Sequence, residues 1–322
     1  MPLRIPKASR TRSVRALPAG GGIAALLVAG ALLAGVIPAS AAGRGNGAGR
    51  RPRPVYYVAL GDSLSRGVQP ATPPLPPGAS LGQSIETDHG YADDLYARYS
   101  HAFHGRLTLV KLGCPGETTT SLLTGNGSPC SYPQGSQLAA ALAFIRAHSD
   151  EIGLITIDIG ANDVDRCLAS AAISLSCVHQ GQATVKRGLP LILGALRHAA
   201  GGRVPIAGMN LYDPFLASYL TGTAGQAAAR RSAALDESLN KLIAAADQSS
   251  GVRTADVQDA FSTADFTHTA VLGKVTVPLN VARICQWTWM CAPAPDIHAN
   301  TAGYQVIAAA FEHVIGRLRP RR

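Results

Sequence analysis

Apolar and polar positions along this chain follow two different rhythms. Short apolar runs, rich in β-branched residues and closed by glycine, occur at 55–60 (VYYVAL), 107–113 (LTLVKLG) and 151–163 (EIGLITIDIGAND). Runs of this length without polar alternation predict strands buried on both faces. The segments 202–211 (GRVPIAGMNL) and 251–257 (GVRTADV) read as two more. Between them, helical spacing appears at 91–100, 136–148, 183–200, 223–248 and 300–318. Ser136 stands where it would cap the second of these helices, and Pro190 should bend or divide the third.

Strands and helices alternating over about 250 residues predict an α/β fold, a parallel sheet covered by helices on both faces. Only about five strands stand out, which favours an open three-layer α/β/α sandwich over a barrel. The segment 69–80 (QPATPPLPPGAS) holds too many prolines for a helix or a central strand, so it predicts a long surface loop. After Gly61, the pair Asp62–Ser63 sits where a further helix could start, with Ser63 as its cap.

The N-terminus changes how the bulk composition is read. Arg4, Lys7, Arg10, Arg12 and Arg15 precede an apolar stretch at 23–37, and small residues (ASA) follow at 39–41. That order is a secretory signal peptide, expected over 1–41 and cleaved near Ala41; the apolar stretch is short for a bilayer span. A basic, Gly/Pro-rich lead-in at 42–54 and one domain over 55–322 complete the expected organisation. Cleavage removes five positive charges and no negative ones, taking the formal charge from +9 to +4. The arginines left at 44–53 read as a solvated tail. With aromatics at only 5% of the chain, a basic face interleaved with aromatics for nucleic acid is not expected.

Six cysteines follow the signal segment, and an even number in an exported chain implies disulfides. They fall into three local pairs, Cys114–Cys130, Cys167–Cys177 and Cys285–Cys291, each closing a short loop. A metal site at Cys167, Cys177 and His179 would lack a second compact ligand pair, so no metal or other cofactor is expected.

In an open parallel sheet, functional residues gather beyond the carboxyl ends of the strands. Those ends and the last loop carry GDSL at 61–64, LGCPGET at 112–118, IGAND at 159–163 and PDIHANTAGY at 295–304. A serine hydroxyl needs a base to take its proton, and His298, in a loop just ahead of the last helix, is the best-placed candidate. The N–H groups of Ser63 and Gly113 and the side-chain amide of Asn162 would supply donors for an oxyanion. Each has a plainer reading as a turn, a cap or a surface residue. It is the four segments in order that favour chemistry.

These segments resemble the SGNH (GDSL) hydrolase family. GCPGET, the cysteine pairs and CQWTWMC are similar especially to its secreted actinobacterial lipase and esterase branch. The resemblance spans residues 55–318. It implies a flavodoxin-like three-layer sandwich that cleaves carboxylic esters without a cofactor, with Ser63 as nucleophile, His298 as base, and Ser63, Gly113 and Asn162 as the oxyanion hole. Many members carry Asp three residues before the histidine; here that position is Pro295 and the nearest carboxylate is Asp296. Either Asp296 or the Pro295 carbonyl could orient the imidazole, and Asp296 is taken as the acid. Asp62 reads as an acceptor holding the turn. The expected substrate is a small-molecule or lipid ester, with transient contact to a lipid surface and a monomeric, extracellular protein. A polysaccharide O-deacetylase would use the same residues, and a non-catalytic exported binding protein is the reading from another class.

Overall fold

A computed structural model describes residues 53–168 and 173–318. The expected signal peptide and all of the lead-in but its last two residues lie outside them. Five strands form the central sheet: β1 (Val55–Gly61), β2 (Leu107–Lys111), β3 (Ile152–Asp158), β4 (Ile206–Met209) and β5 (Arg253–Ala255). Their order is β2-β1-β3-β4-β5, and every neighbouring pair is parallel. This is the flavodoxin-like order, whose crevice opens where the winding reverses between β1 and β3. Val58, Leu60, Leu154, Ile155 and Ile157 are all buried, as strands covered on both faces require.

Helices α1 (Tyr91–Ser100), α2 (Thr119–Thr124), α3 (Gln137–Ala147), α4 (Ala161–Leu168), α5 (Leu175–Ala200), α6 (Thr223–Ser249), α7 (Leu279–Trp287) and α8 (Thr301–Ile315) surround the sheet. Helices α1 and α8 pack together and touch β2, β4 and β5, while α3, α5 and α6 form a row that reaches β1, β4 and β5. Ser136 caps α3 as its sequence position suggests, its hydroxyl accepting from the Ala139 N–H at 3.1 Å. The cysteines pair as Cys114–Cys130, Cys167–Cys177 and Cys285–Cys291. That occupies both thiols of the alternative metal set.

Two local expectations need correction. Pro190 does not divide its helix: α5 runs from Leu175 to Ala200 with Pro190 inside it. The carbonyl that loses its partner belongs to Lys186, an exposed residue, so water can satisfy it, and packing against α3, α4 and α6 holds the rest. No helix follows Gly61 either. Residues 62–67 form consecutive turns, with Arg66 N–H bonded to Ser63 O and Gly67 N–H to Leu64 O. Gly67 then takes φ +68° against Gly90, where a Cβ would come within 2.7 Å of backbone, and the chain leaves before a helix can propagate.

Candidate active site

The site begins where β1 ends. Gly61 has φ +126°, and a Cβ there would lie 1.9 Å from Asp158 O, so only glycine lets β1 and β3 approach this closely. The Gln137 side chain clamps its backbone from the start of α3: Gly61 N–H donates to Oε1 at 2.7 Å, and Nε2 donates to Gly61 O at 2.9 Å. The next residue, Asp62, donates its N–H to the backbone oxygen and side chain of Asp158 at 3.2 and 3.1 Å. Its own carboxylate accepts from Leu64 N–H at 3.0 Å, so Asp62 holds the turn. Ser63 stands on that turn with 8% of its surface exposed, its Oγ 3.5 Å from Asp62 Oδ1.

Asn162, in the first turn of α4, reaches across the crevice from β3. Its Nδ2 donates to Asp62 Oδ2 at 3.2 Å and to Glu117 O at 3.0 Å, tying three strand ends together. Gly113 packs behind the serine turn, where a Cβ would fall 1.8 Å from Ser65 Oγ. The cavity wall on that side comes instead from Pro115 and Gly116, further along the same loop. Among the described residues, neither the Ser63 nor the Gly113 N–H has an acceptor in the protein.

His298 lies on a short strand, Asp296–Ala299, that pairs antiparallel with Thr288–Trp289. Residues two apart on a strand share a face, which sets Asp296 beside the imidazole. Asp296 Oδ1 accepts from His298 Nδ1 at 2.6 Å and from His298 N–H at 2.9 Å, and Oδ2 accepts from Ser84 Oγ at 3.0 Å. Of the two acceptors left open by the sequence, the carboxylate is therefore the one in contact. Burial alone would raise the Asp296 carboxyl, but the bonds and charge of His298, with the Ser84 bond, hold it below its ordinary value.

Ser63, Asn162 and His298 line one small cavity of about 40 Å³, closed by Leu211, Tyr212, Pro214 and Ile297 with Asp165 and Asp236 among its walls. The same three residues also line a more open one of about 290 Å³, bounded by Ser84, Glu86, Pro115 and Gly116. The model of the GDSL-like lipase/acylhydrolase family matches residues 59–306, from the end of β1 into α8. The chain belongs to the GDSL-like lipase/acylhydrolase family. Its chemistry is therefore the hydrolysis of carboxylic esters. An extracellular lipase from Streptomyces rimosus has the same fold, with a TM-score of 0.51 at 18% identity over 81% of this chain and 99% of that one. Acetylxylan esterase Axe2 from Geobacillus stearothermophilus gives 0.47 at 16% identity over 84% and 98%. Phospholipase A1 from Streptomyces albidoflavus NA297 gives 0.47 at 18% over 81% and 99%. No curated protein matches the chain.

In this GDSL-like acylhydrolase, carboxyl groups crowd the crevice. Asp62 and Asp158 are both fully enclosed; burial raises both carboxyls, and the Asp62 charge pushes Asp158 up further. The Tyr91 hydroxyl donates to Asp158 from below. Burial raises Asp165 and Asp236 too, as do the charges of Asp62, Asp213 and Asp163 around the first and of Asp213 and Asp165 around the second. Ser84, Gln137 and Glu117 are the site residues that motif reading missed. Two of them left a trace in the sequence: Glu117 lies within the LGCPGET segment, and Gln137 shares a helical stripe with the buried Ala141 and Ile145, where a polar side chain needs a partner.

Proposed function

We propose that the protein is an exported serine esterase that cleaves short-chain carboxylic esters through an acyl-enzyme. The observation carrying this is that Ser63, Asn162 and His298 share one cavity while Asp296 Oδ1 sits 2.6 Å from His298 Nδ1. His298 takes the Ser63 proton as Oγ attacks the ester carbonyl. Asp296 fixes the tautomer and stabilises the imidazolium that forms. The oxyanion draws on the N–H groups of Ser63 and Gly113, both without acceptors among the described residues, and on the Asn162 amide. One Nδ2 hydrogen must then leave Asp62 or Glu117 for the oxyanion, an exchange the long 3.2 Å bond to Asp62 makes cheap. His298 next protonates the leaving alcohol, and water repeats the sequence on the acyl-serine.

The preference for short acyl groups rests on the smaller cavity. Its roughly 40 Å³ holds about three water-sized groups, the size of an acetyl, and the carboxyl groups of Asp165 and Asp236 interrupt an otherwise mostly apolar wall. This moves the reading from lipase towards short-chain esterase or deacetylase, and the open cavity beside Ser84 and Glu86 suits the leaving group. Export rests on the basic-apolar-small order of residues 1–41 and on the three disulfides. Residues 55–322 act as one domain, and a monomer suffices because every named group comes from one chain.

The test is a chain-length series of p-nitrophenyl esters on the purified protein and its Ser63→Ala variant. kcat/KM should peak at acetyl or propionyl and fall with longer chains. A rise toward long acyl groups would return the protein to the lipases. Hydrolysis by Ser63→Ala at the parent rate would refute the mechanism.

A further inference from the structure

The proline-rich loop reaches further into the site than a wall requires. Gln69–Pro70 and Ser84–Ile85 pair antiparallel, and most of the excursion between them is exposed. The base of this strap is fixed on several sides. Tyr304 hydroxyl donates to Val68 O at 2.8 Å, Thr87 Oγ1 donates to Gly67 O at 2.6 Å, and Trp289 Nε1 donates to Gln69 Oε1 at 3.4 Å. Arg66 pairs with Glu86 across it. From this frame Ser84 Oγ donates to Asp296 Oδ2 at 3.0 Å, across a sequence separation of 212 residues.

Asp296 needs such a contact. Both bonds from His298 fall on the same oxygen, Oδ1, and both come from a residue on the same short strand. The terminal torsion of an aspartate is broad and nearly two-fold, so Oδ1 alone defines the carboxylate plane poorly. A donor on Oδ2 from a separate, anchored element removes that freedom. We infer that Ser84 is a positioning residue of the hydrolytic site, holding Asp296 so that its Oδ1 keeps the His298 ring aimed at Ser63. The strap is thereby part of the relay and also borders the leaving-group cavity, which Ser84 and Glu86 line together with Ser63 and His298.

This rests on the reading of Ser63, His298 and Asp296 given above, and the test separates the two. Steady-state kinetics with p-nitrophenyl acetate compare the full-length parent with Ser84→Ala, Ser84→Thr, Asp296→Asn and the Ser84→Ala/Asp296→Asn double variant. Ser84→Ala should lower kcat about fivefold with KM unchanged, the ordinary worth of one hydrogen bond, and Thr should restore it. In the Asp296→Asn background the same change should have no further effect, because coupled residues are non-additive. The melting temperature of Ser84→Ala should stay at the parent value, since Ser84 is exposed. A parent-like kcat in Ser84→Ala would overturn the role, as would a fivefold loss that persists beside Asp296→Asn. Ser63→Ala run in parallel tells the two failures apart: activity there refutes the triad itself, whereas its loss with an unaffected Ser84→Ala refutes only the strap.

Discussion

Replacing Gln137 with Leu removes the clamp on Gly61 while keeping most of the volume at a fully buried position. Two hydrogen bonds to the backbone of one residue disappear, at 2.7 and 2.9 Å, together with a 3.3 Å bond from Nε2 to Glu117 Oε2. The Gly61 carbonyl keeps the Cys114 N–H at 3.1 Å, but the Gly61 N–H is left in the core without a partner. An orphaned buried donor costs about 1–3 kcal/mol. Glu117 adds to this, because Oε1 already has no partner among the described residues and Oε2 is left with Ser128 alone. The total comes to about 3–5 kcal/mol, a large share of the roughly 5–15 kcal/mol that holds a typical protein folded. Thermal and urea unfolding at neutral pH, disulfides intact, would measure it, with a fall in melting temperature of roughly 10 °C. The clamp also holds the residue before Asp62 and Ser63, so kcat on a short ester should fall in the variant even well below its melting point. A stability loss under about 1 kcal/mol with unchanged kcat would show that the peptide at Gly61 is held by β1 and β3 alone.

Other changes test separate parts of the site and the core. Asn162→Ala should lower kcat about 10²–10³-fold with little change in KM, the usual effect of losing one oxyanion donor; a loss under tenfold would leave that task to the backbone N–H groups. Burial raises the Asp247 carboxyl to about 7, with the Thr254 hydroxyl, at 2.8 Å, pulling it back only in part. The folded state thus binds this proton more tightly than the unfolded state, so the contribution is full below pH 4 and is lost as pH rises through about 7. Asp247→Asn should leave stability unchanged at pH 4 and raise it at pH 8 by up to about 4 kcal/mol. An equal shift in melting temperature at both pH values would contradict that account.

Features set by local sequence were readable in advance, and those set by long-range contact were not. Strand runs at 55–60 and 107–113, the Ser136 cap and the long helix at 223–248 lie within a residue or two of their observed bounds, because burial and capping act over a few neighbours. The turn at 62–67 went wrong for the opposite reason: Gly90, far along the chain, decides where Gly67 must bend. Ser84 carries no signal of its own. It is one polar residue at the end of a polar, proline-rich loop, and its partner becomes visible only when the last short strand is in place. The choice between the Pro295 carbonyl and the Asp296 carboxylate likewise depended on a rotamer, which residue spacing does not encode. Four marked strand ends and loops could be read in order because each needs a particular residue where a strand stops.

The site draws on both extremities of the folded chain. Ser63 follows the first strand, whereas Asp296 and His298 precede the last helix, and the Tyr304 hydroxyl in that helix closes back on Val68. A chain emerging from its N-terminus can therefore build β1 and the serine turn early, yet it lacks the proposed base and carboxylate until residues 296–298 have been made. Such contacts, distant in sequence, also form late in folding. Under the proposed mechanism, chains still being made would carry the nucleophile without the means to activate it, so hydrolysis would start only when the C-terminal segment has docked.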